Sequence, residues 1–292
     1  MVQSARSKMI RRILWYLFGT LFAVITVYPF LWMIGTSFKE QVEIYARPLS
    51  LIPEKFTLEN YRTVMNTVPF LMYFKNSMIL AVTGVLTNVF LGALAGYAFA
   101  KLDFRGKKVL FRILLSSMMI PGIVTMVPQF VVLRKFPFAG GNNLFGQGGK
   151  GFINSFWAII LPGACGVYAV FFMKQFFETL PGDLAEAARL DGASEFRIFW
   201  QVYLPLITPA AMTLGIMTFQ GGWNNFMWPL IVLNDPKKYT IQIGLSLFKT
   251  NYTSNYGAMM GGTVIATLPV LLLFIFAQRY FVEGIAFSGS KQ

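Results

Sequence analysis

Long apolar stretches alternate with short polar segments along this chain, and the pattern predicts helices that cross a membrane. A helix needs about 20 predominantly apolar residues to cross the ~30 Å hydrocarbon core of a bilayer. Because an unpaired backbone N–H or C=O group is very costly in lipid, each stretch is expected to be helical. The predicted fold class is therefore an all-α membrane protein with six transmembrane helices: Ile13–Thr36, Ser77–Ala100, Val109–Leu133, Ser155–Met173, Leu206–Leu233 and Ala258–Val282.

The composition supports a membrane protein. Hydrophobic residues make up 55% of the chain and charged residues 13%, whereas soluble domains average about 25% charged residues. The net charge of +13 would suit a nucleic-acid-binding protein, but the basic residues lie in the segments between the apolar stretches and form no single patch. In such segments lysine and arginine determine membrane topology. We therefore expect a lipid bilayer around the chain and no nucleic-acid partner.

Two basic clusters predict the orientation of the chain, one before the first predicted helix and one between the second and third. They comprise Arg6, Lys8, Arg11 and Arg12, then Lys101, Arg105, Lys107 and Lys108. Cytoplasmic segments are enriched in lysine and arginine. We expect a cytoplasmic N-terminus at residues 1–12, a single six-span permease domain at residues 13–292, and both chain ends in the cytoplasm.

Several kinds of chemistry are missing from the chain. It contains no histidine, and no ionisable residue lies in the central part of a predicted span, which disfavours a proton-driven carrier. A sodium site built from backbone carbonyls is less firmly excluded. The nearest match to a phosphate-binding loop, Gly149-Lys150, has Leu144 where the first glycine belongs. Without histidine there is neither a Ser-His-Asp triad nor a Cys/His metal cluster. We expect no catalytic, cofactor or metal site in this chain.

A polar, charge-mixed segment follows the fourth predicted span and is predicted to form a helix-turn-helix. Asp183 and Glu186 have the spacing of an N-cap residue and its N3 partner in a capping box. Gly192 suits a left-handed helix end. Ser194 is placed to cap a second helix over 195–204, and Pro205 discourages its extension.

The same segment resembles the "EAA loop" of permease subunits in ATP-binding-cassette (ABC) importers, a cytoplasmic loop between spans four and five. The loop comprises residues about 178–205, and the resemblance extends beyond it to most of the chain. The positions that match the family pattern in order are Glu186, Ala187, Ala188, Asp191, Gly192, Ala193, Phe199, Leu204 and Pro205.

The resemblance implies that the loop couples this chain to a motor on another polypeptide. In that family the Ala-Ala pair makes a slim helix that enters a cleft of the ATPase, and the glutamate pairs with a basic group there. The implied partners are two ATPase subunits that bind ATP and Mg²⁺, a second homologous permease and an extracytoplasmic solute-binding protein. The implied location is the bacterial inner membrane.

A second resemblance points to the carbohydrate-uptake branch of the family, and within it to the smaller permease of maltose-type importers. It rests on Trp223-Asn224-Asn225-Phe226, Trp228-Pro229-Leu230 and Phe281-Val282-Glu283-Gly284. It implies that the transported solute is a sugar or oligosaccharide. Importers of amino acids, peptides or phosphate share the loop and are alternatives, and a stand-alone secondary carrier is a more distant one.

The fifth predicted span contains side chains suited to a sugar path. Aromatic rings stack on the C–H faces of sugars, and amides bond their hydroxyls. The candidates are Gln220, Trp223, Asn224, Asn225 and Trp228. At ~100° per residue, Gln220, Trp223 and Asn224 would share one helix face, as would Asn224 and Trp228. The alternative is a structural role, with the aromatic rings at the membrane interface and an amide capping a kinked helix.

Gly92 and Gly96 form a GxxxG pair in the second predicted span. Small residues at this spacing allow two membrane helices to approach closely. The neighbouring helix could belong to this chain or to a partner subunit, and packing within the chain is the favoured interpretation.

Overall fold

The computed structural model describes residues 5–249 and 255–289, and within these ranges the chain is nearly all helical and has no β-strand. The α-helices are α1 (Ala5–Ser37), α2 (Gln41–Ala46), α3 (Glu59–Thr67), α4 (Phe70–Lys101), α5 (Lys107–Ser117), α6 (Gly122–Arg134), α7 (Trp157–Gly163), α8 (Val167–Thr179), α9 (Asp183–Leu190), α10 (Glu195–Leu206), α11 (Thr208–Trp223), α12 (Met227–Val232), α13 (Ile241–Ser246) and α14 (Tyr256–Gly289).

Four to six of these elements are candidate membrane spans. Four segments are long and apolar enough by themselves: Arg11–Ser37, Phe70–Lys101, Trp157–Thr179 and Tyr256–Ala277. Two helix pairs, α5 with α6 and α10 with α11, qualify only if each bent pair counts as one span. The all-α prediction and the helices expected at the first, second and sixth apolar stretches are confirmed.

The third, fourth and fifth stretches are not single helices, so the prediction of one continuous helix in each of them is wrong. In the fourth stretch, α7 ends at Gly163 and α8 begins at Val167. The number of six spans stays a prediction. The helices α5 and α6 meet at an angle of 106°. Pro121 stands at the break, at the N-cap of α6. The proline ring disfavours helical geometry in the residue before it, so a helix is expected to end before Pro121. In the fifth stretch, α11 ends at Trp223 and α12 begins only at Met227.

The described residues divide into two compact units. The first unit extends to Phe70 and adds Leu245–Leu268, and the second comprises Leu71–Gly244 and continues from Pro269. In the first unit, Asn60 donates from Nδ2 to the carbonyl oxygens of Ser37 (3.0 Å) and Lys39 (2.7 Å). The fully buried Lys39 donates from Nζ to Ser50 Oγ at 2.6 Å. These bonds connect the end of α1 to the segment containing α2 and α3.

The core of the second unit is the close approach of α4 and α8. A Cβ atom placed on Gly92 would lie 2.8 Å from Ala169 Cβ, and one on Gly96 would lie 2.7 Å from Met173 Cβ. The GxxxG pair therefore packs within the chain, as favoured above. The buried cluster around this contact also includes residues of α10 and α11, among them Phe199, Tyr203 and Leu214.

Candidate functional site

The polar segment after α8 folds as two short helices joined by a turn. The first is α9, and the second is α10, whose stretch Ile198–Tyr203 is a π-helix. Gly192 in the turn has φ of +79°, a conformation that costs glycine little because it lacks Cβ. Ser194 is the N-cap of α10, and its Oγ accepts a hydrogen bond from the Arg197 N–H at 3.4 Å. The left-handed helix end at Gly192 and the cap at Ser194 are confirmed.

The capping box predicted at Asp183 and Glu186 is wrong. Gly182, the residue before α9, already has helical angles (φ −70°, ψ −32°), so Asp183 lies inside the helix and makes no side-chain cap. An N-cap residue has extended backbone angles, and the helix here begins one residue too early for Asp183 to supply them. The exposed Glu186 carboxylate consequently has no side-chain hydrogen bond or ion pair with any of the described residues.

The loop positions named from the sequence divide between an outer and an inner surface of the helix-turn-helix. The exposed ones are Glu186, Ala187, Asp191, Gly192 and Pro205. The buried or half-buried ones are Ala188, Ala193, Phe199 and Leu204. The first group is free to contact another molecule, and the second group attaches the loop to the rest of the unit.

An aromatic cluster makes this attachment. The ring of Phe199 is 1% exposed and lies 5.4 Å from the ring of Tyr97 in α4 and 6.4 Å from that of Phe177 in α8. The Tyr203 ring lies 5.6 Å from Tyr97, and its hydroxyl donates to the Pro181 carbonyl at 3.0 Å. From the end of α4, Lys101 donates from Nζ to the Leu180 carbonyl at 2.6 Å. Both ends of the loop are thus fixed to the same two helices.

A polar contact joins the two helices of the loop to α4. Glu195 accepts a hydrogen bond from Arg189 Nε of α9 at 2.7 Å on Oε1, and one from the Tyr97 hydroxyl at 2.8 Å on Oε2. The bond to Glu195 raises the pKa of Arg189. Sequence reasoning missed this arrangement, because Tyr97 and Glu195 are 98 residues apart.

The outer surface of the loop combines one carboxylate with exposed apolar groups. Glu186 lies on α9 with Leu190, which is 90% exposed, and α10 exposes Phe196 and Trp200. Exposed large apolar side chains on a polar segment are typical of a protein contact. The geometry therefore suits insertion of α9 into a cleft that offers apolar walls and one basic group.

The candidate sugar-path residues lie at the end of α11 and in the break after it. Trp223 is 1% exposed, stacks on Phe219 at 5.7 Å between ring centroids and meets Phe74 edge-on. Trp228 is 7% exposed and donates from Nε1 to the Ala158 carbonyl at 3.0 Å. The two tryptophan rings are therefore in contact with protein.

The amide side chains of the same set are more accessible. Gln220 and Asn224 are exposed, and Asn225 is half-buried. Gln242 of α13, which was not named from the sequence, donates from Nε2 to the Trp223 carbonyl at 3.3 Å and to Asn224 Oδ1 at 3.5 Å. Because α11 ends at Trp223, Asn224 and Trp228 do not lie on one continuous helix face.

Among the residues that the structure describes, no group of three or more His, Cys, Asp or Glu side chains could hold a metal ion. The side chains of Phe281-Val282-Glu283-Gly284, which contributed to the carbohydrate resemblance, lie outside the described residues, although their backbone belongs to α14.

Comparison with known proteins gives consistent matches over most of the chain. Residues 88–285 match the family model described as "Binding-protein-dependent transport system inner membrane component". The arabinooligosaccharides transport system permease protein AraQ of Halalkalibacterium halodurans is 34% identical over 92% of each chain. The diacetylchitobiose uptake system permease protein NgcG of Streptomyces coelicolor is 32% identical over 89% of this chain and 82% of its own.

A solved structure shares the fold. It belongs to a bacterial ABC transporter involved in the import of the acidic polysaccharide alginate, and it superposes with a TM-score of 0.81 at 24% identity. The match covers 96% of this chain and 100% of that one.

Proposed function

The chain belongs to the family of inner-membrane components of binding-protein-dependent transport systems, and from that premise we propose that it forms one half of a sugar path in an ATP-driven importer. It is a multi-pass membrane protein of a transport family rather than a catalytic subunit. Its proposed partners are a second homologous permease, two ATPase subunits that bind ATP and Mg²⁺, and an extracytoplasmic binding protein.

The observation that supports ATPase coupling is the carboxylate of Glu186, which lies on an exposed short helix and has no side-chain partner among the described residues. We propose that α9 enters a cleft of the ATPase, where Glu186 pairs with a basic group and Leu190 contacts apolar walls. Ala187 keeps that face of the helix slim, and Gly192 allows the sharp return into α10. The proposed coupling loop is residues about 178–205, on the cytoplasmic side.

The attached inner surface gives this docking a mechanical consequence. Ala188, Ala193, Phe199 and Leu204 pack into the core cluster formed with α4 and α8. A rigid-body displacement of the docked helices would therefore displace the membrane helices that they contact. We propose that closure of the ATPases moves this assembly between inward-facing and outward-facing states.

The proposed solute is a sugar or oligosaccharide. Two relatives that cover most of the chain are named as transporters of arabinooligosaccharides and diacetylchitobiose. We propose that the amides of Gln220, Asn224 and Asn225 bond sugar hydroxyls, and that Gln242 orients Asn224. As the chain folds here, Trp223 and Trp228 would support this segment by packing, and a shift of α11 and α12 would be needed to bring their rings to the sugar.

The sugar path is tested by transport of a labelled oligosaccharide in reconstituted vesicles. Asn224→Leu should lower the uptake rate about tenfold, because a desolvated hydroxyl left without its hydrogen bond costs ~1–3 kcal/mol. Met227→Leu, at an exposed apolar position three residues further along the chain, is the control and should leave uptake unchanged. Equal uptake by both variants would remove Asn224 from the path.

The importer itself is tested by purifying the tagged chain from its native membranes in mild detergent and identifying every stoichiometric partner. We expect an ATPase with a phosphate-binding loop and a second permease. Glu186→Gln should release the ATPase, whereas Asp183→Asn, which neutralises an exposed carboxylate one turn earlier in α9, should retain it. Purification of the wild-type chain alone, even after chemical crosslinking, would overturn the proposal.

A further inference from the structure

The structure points to a second role for the coupling loop, and this inference rests on the proposed function. We propose that Glu195 is the positioning residue that transmits movement of α9 to α4, through its simultaneous bonds to Arg189 and to the Tyr97 hydroxyl. In this arrangement Glu186 would contact the ATPase, and the Arg189–Glu195–Tyr97 contact would pass the displacement to a membrane helix.

The first argument concerns how weakly α9 is otherwise attached. Only Ala185 among its residues is buried, and Ala188 is half-buried. The one hydrogen bond that a side chain of α9 makes to another helix among the described residues runs from Arg189 to Glu195. The backbone N–H of Ala185 also contacts the Tyr203 hydroxyl of α10, but this contact does not reach α4. A helix with so small an apolar contact can rotate on its support unless a directional bond prevents it.

The second argument concerns the carboxylate of Glu195. Each of its oxygens has a different donor, Arg189 of α9 on Oε1 and Tyr97 of α4 on Oε2. A carboxylate with two fixed donors has one preferred orientation, so displacement of either donor exerts a force on the other through the carboxylate. Hydrogen bonds to a charged group are also stronger than those between neutral groups.

The third argument concerns the position of Tyr97 in the membrane helix. Tyr97 is 3% exposed, and its ring lies 5.6 Å from that of Phe177 in α8. It lies one residue beyond Gly96, the point of closest approach to Met173 of α8. A pull on the Tyr97 hydroxyl would therefore act where α4 and α8 pack together most closely.

The experiment compares two hydroxyl deletions in the reconstituted importer. Tyr97→Phe retains the ring and removes only the bond to Glu195. Tyr203→Phe is the matched control, because it removes a buried hydroxyl of the same cluster that donates to the Pro181 carbonyl and contacts the Ala185 backbone of α9, but makes no bond to Glu195. It therefore loosens α9 without breaking the link from α9 to α4. The readout is the number of solute molecules transported per ATP hydrolysed, with the amount of bound ATPase measured in each preparation.

We expect Tyr97→Phe to lower this ratio by about fivefold or more, the lower end of coupling effects between distant sites, with ATPase binding unchanged. Tyr203→Phe should keep the wild-type ratio. An unchanged ratio in Tyr97→Phe would overturn the inference, and so would an equal fall in both variants, which would indicate general loosening of the cluster.

A charge exchange supplies a rescue test. Arg189→Glu alone places two carboxylates side by side and should uncouple transport from hydrolysis. The double variant Arg189→Glu/Glu195→Arg restores an ion pair between α9 and α10, with the Tyr97 oxygen able to accept from the new arginine, and should recover most of the ratio. Failure of the double variant to improve on the single one would contradict the inference. Loss of the ATPase from the wild-type complex would instead contradict the proposed function.

Discussion

At the scale of single residues, close contacts across α4 and α8 make small side chains obligatory at particular positions. Gly96 and Gly84 lie on the same helix, but a Cβ atom would meet Met173 and the Lys174 backbone at Gly96 and nothing within 4 Å at Gly84. Membrane helices associate largely through such van der Waals packing. The two glycines thus have very different structural importance.

We predict that Gly96→Ala destabilises the protein by about 1–3 kcal/mol, the cost of forcing extra atoms into a packed contact. Gly84→Ala is the control and should be neutral or slightly stabilising, because alanine favours helix more than glycine does. Thermal unfolding of both variants in the same detergent measures the difference. Equal unfolding temperatures would contradict the close approach of α4 and α8.

The side chain of Asn88 provides a second residue-level constraint. Its Oδ1 accepts a hydrogen bond from the Gly166 N–H at 2.7 Å, and its Nδ2 donates to Thr218 Oγ1 at 3.0 Å. Asn88 therefore supplies a hydrogen-bond acceptor for a backbone N–H at the start of α8, and it connects α4 to α11. A free N–H group at this depth would have no water to bond to.

We predict that Asn88→Leu costs about 1–3 kcal/mol, because it leaves the Gly166 N–H and the Thr218 hydroxyl unsatisfied. The control is Thr87→Val on the same helix, whose hydroxyl bonds only to carbonyls of its own helix and whose loss should be nearly neutral. Chemical denaturation in detergent compares them. A Thr87→Val cost equal to that of Asn88→Leu would argue against a special role for Asn88.

At the scale of elements, proline has different effects in different helices. Pro121 stands at the 106° break between α5 and α6, whereas Pro128 lies inside α6 and Pro29 lies inside α1. In a helix interior a proline removes one backbone hydrogen bond, whereas at a helix start it removes none. Whether the helix continues depends on the packing around the proline. The sequence therefore shows where a helix could be interrupted, but not which of these prolines interrupts it.

The turn between α9 and α10 depends on one backbone conformation. Gly192 has φ of +79°, and a Cβ atom there would meet no other atom within 4 Å. Gly192→Ala should therefore cost only the conformational strain, about 1 kcal/mol. We predict a small fall in thermal stability and a larger fall in the fraction of ATPase retained on purification, since the angle between α9 and α10 sets the docking surface. Gly182→Ala, where φ is negative, is the control and should retain the ATPase.

At the scale of the whole molecule, the surface is consistent with a chain that is covered by lipid or by other subunits. The most apolar window of Arg11–Ser37 has no buried residue, although the segment is almost entirely nonpolar. Soluble proteins rarely expose apolar surfaces of this size. Both lipid and a homologous permease would cover it, and both are parts of the proposed assembly.

The proposed topology gives a prediction for labelling in a Cys165→Ser background, which removes the only cysteine. Arg105→Cys should react with a membrane-impermeant thiol reagent only after the cells are opened, because its basic segment is expected in the cytoplasm. Gln147→Cys, in the segment between α6 and α7, should react in intact spheroplasts. Both native side chains are exposed, so a difference in labelling between the two cysteines would reflect the side of the membrane and not burial in the protein. The reverse pattern would invert the assigned orientation.

The amino-acid sequence by itself determined the class of the protein, because apolar length and the demand for paired backbone groups leave few alternatives to membrane helices. It also located the loop of Glu186, Gly192 and Phe199, since turn and cap chemistry is local. The tertiary structure decided what depends on distant residues: the breaks in the third, fourth and fifth stretches, the burial of Trp223, and the bond between Tyr97 and Glu195. Such contacts follow from three-dimensional packing, and no local pattern specifies them.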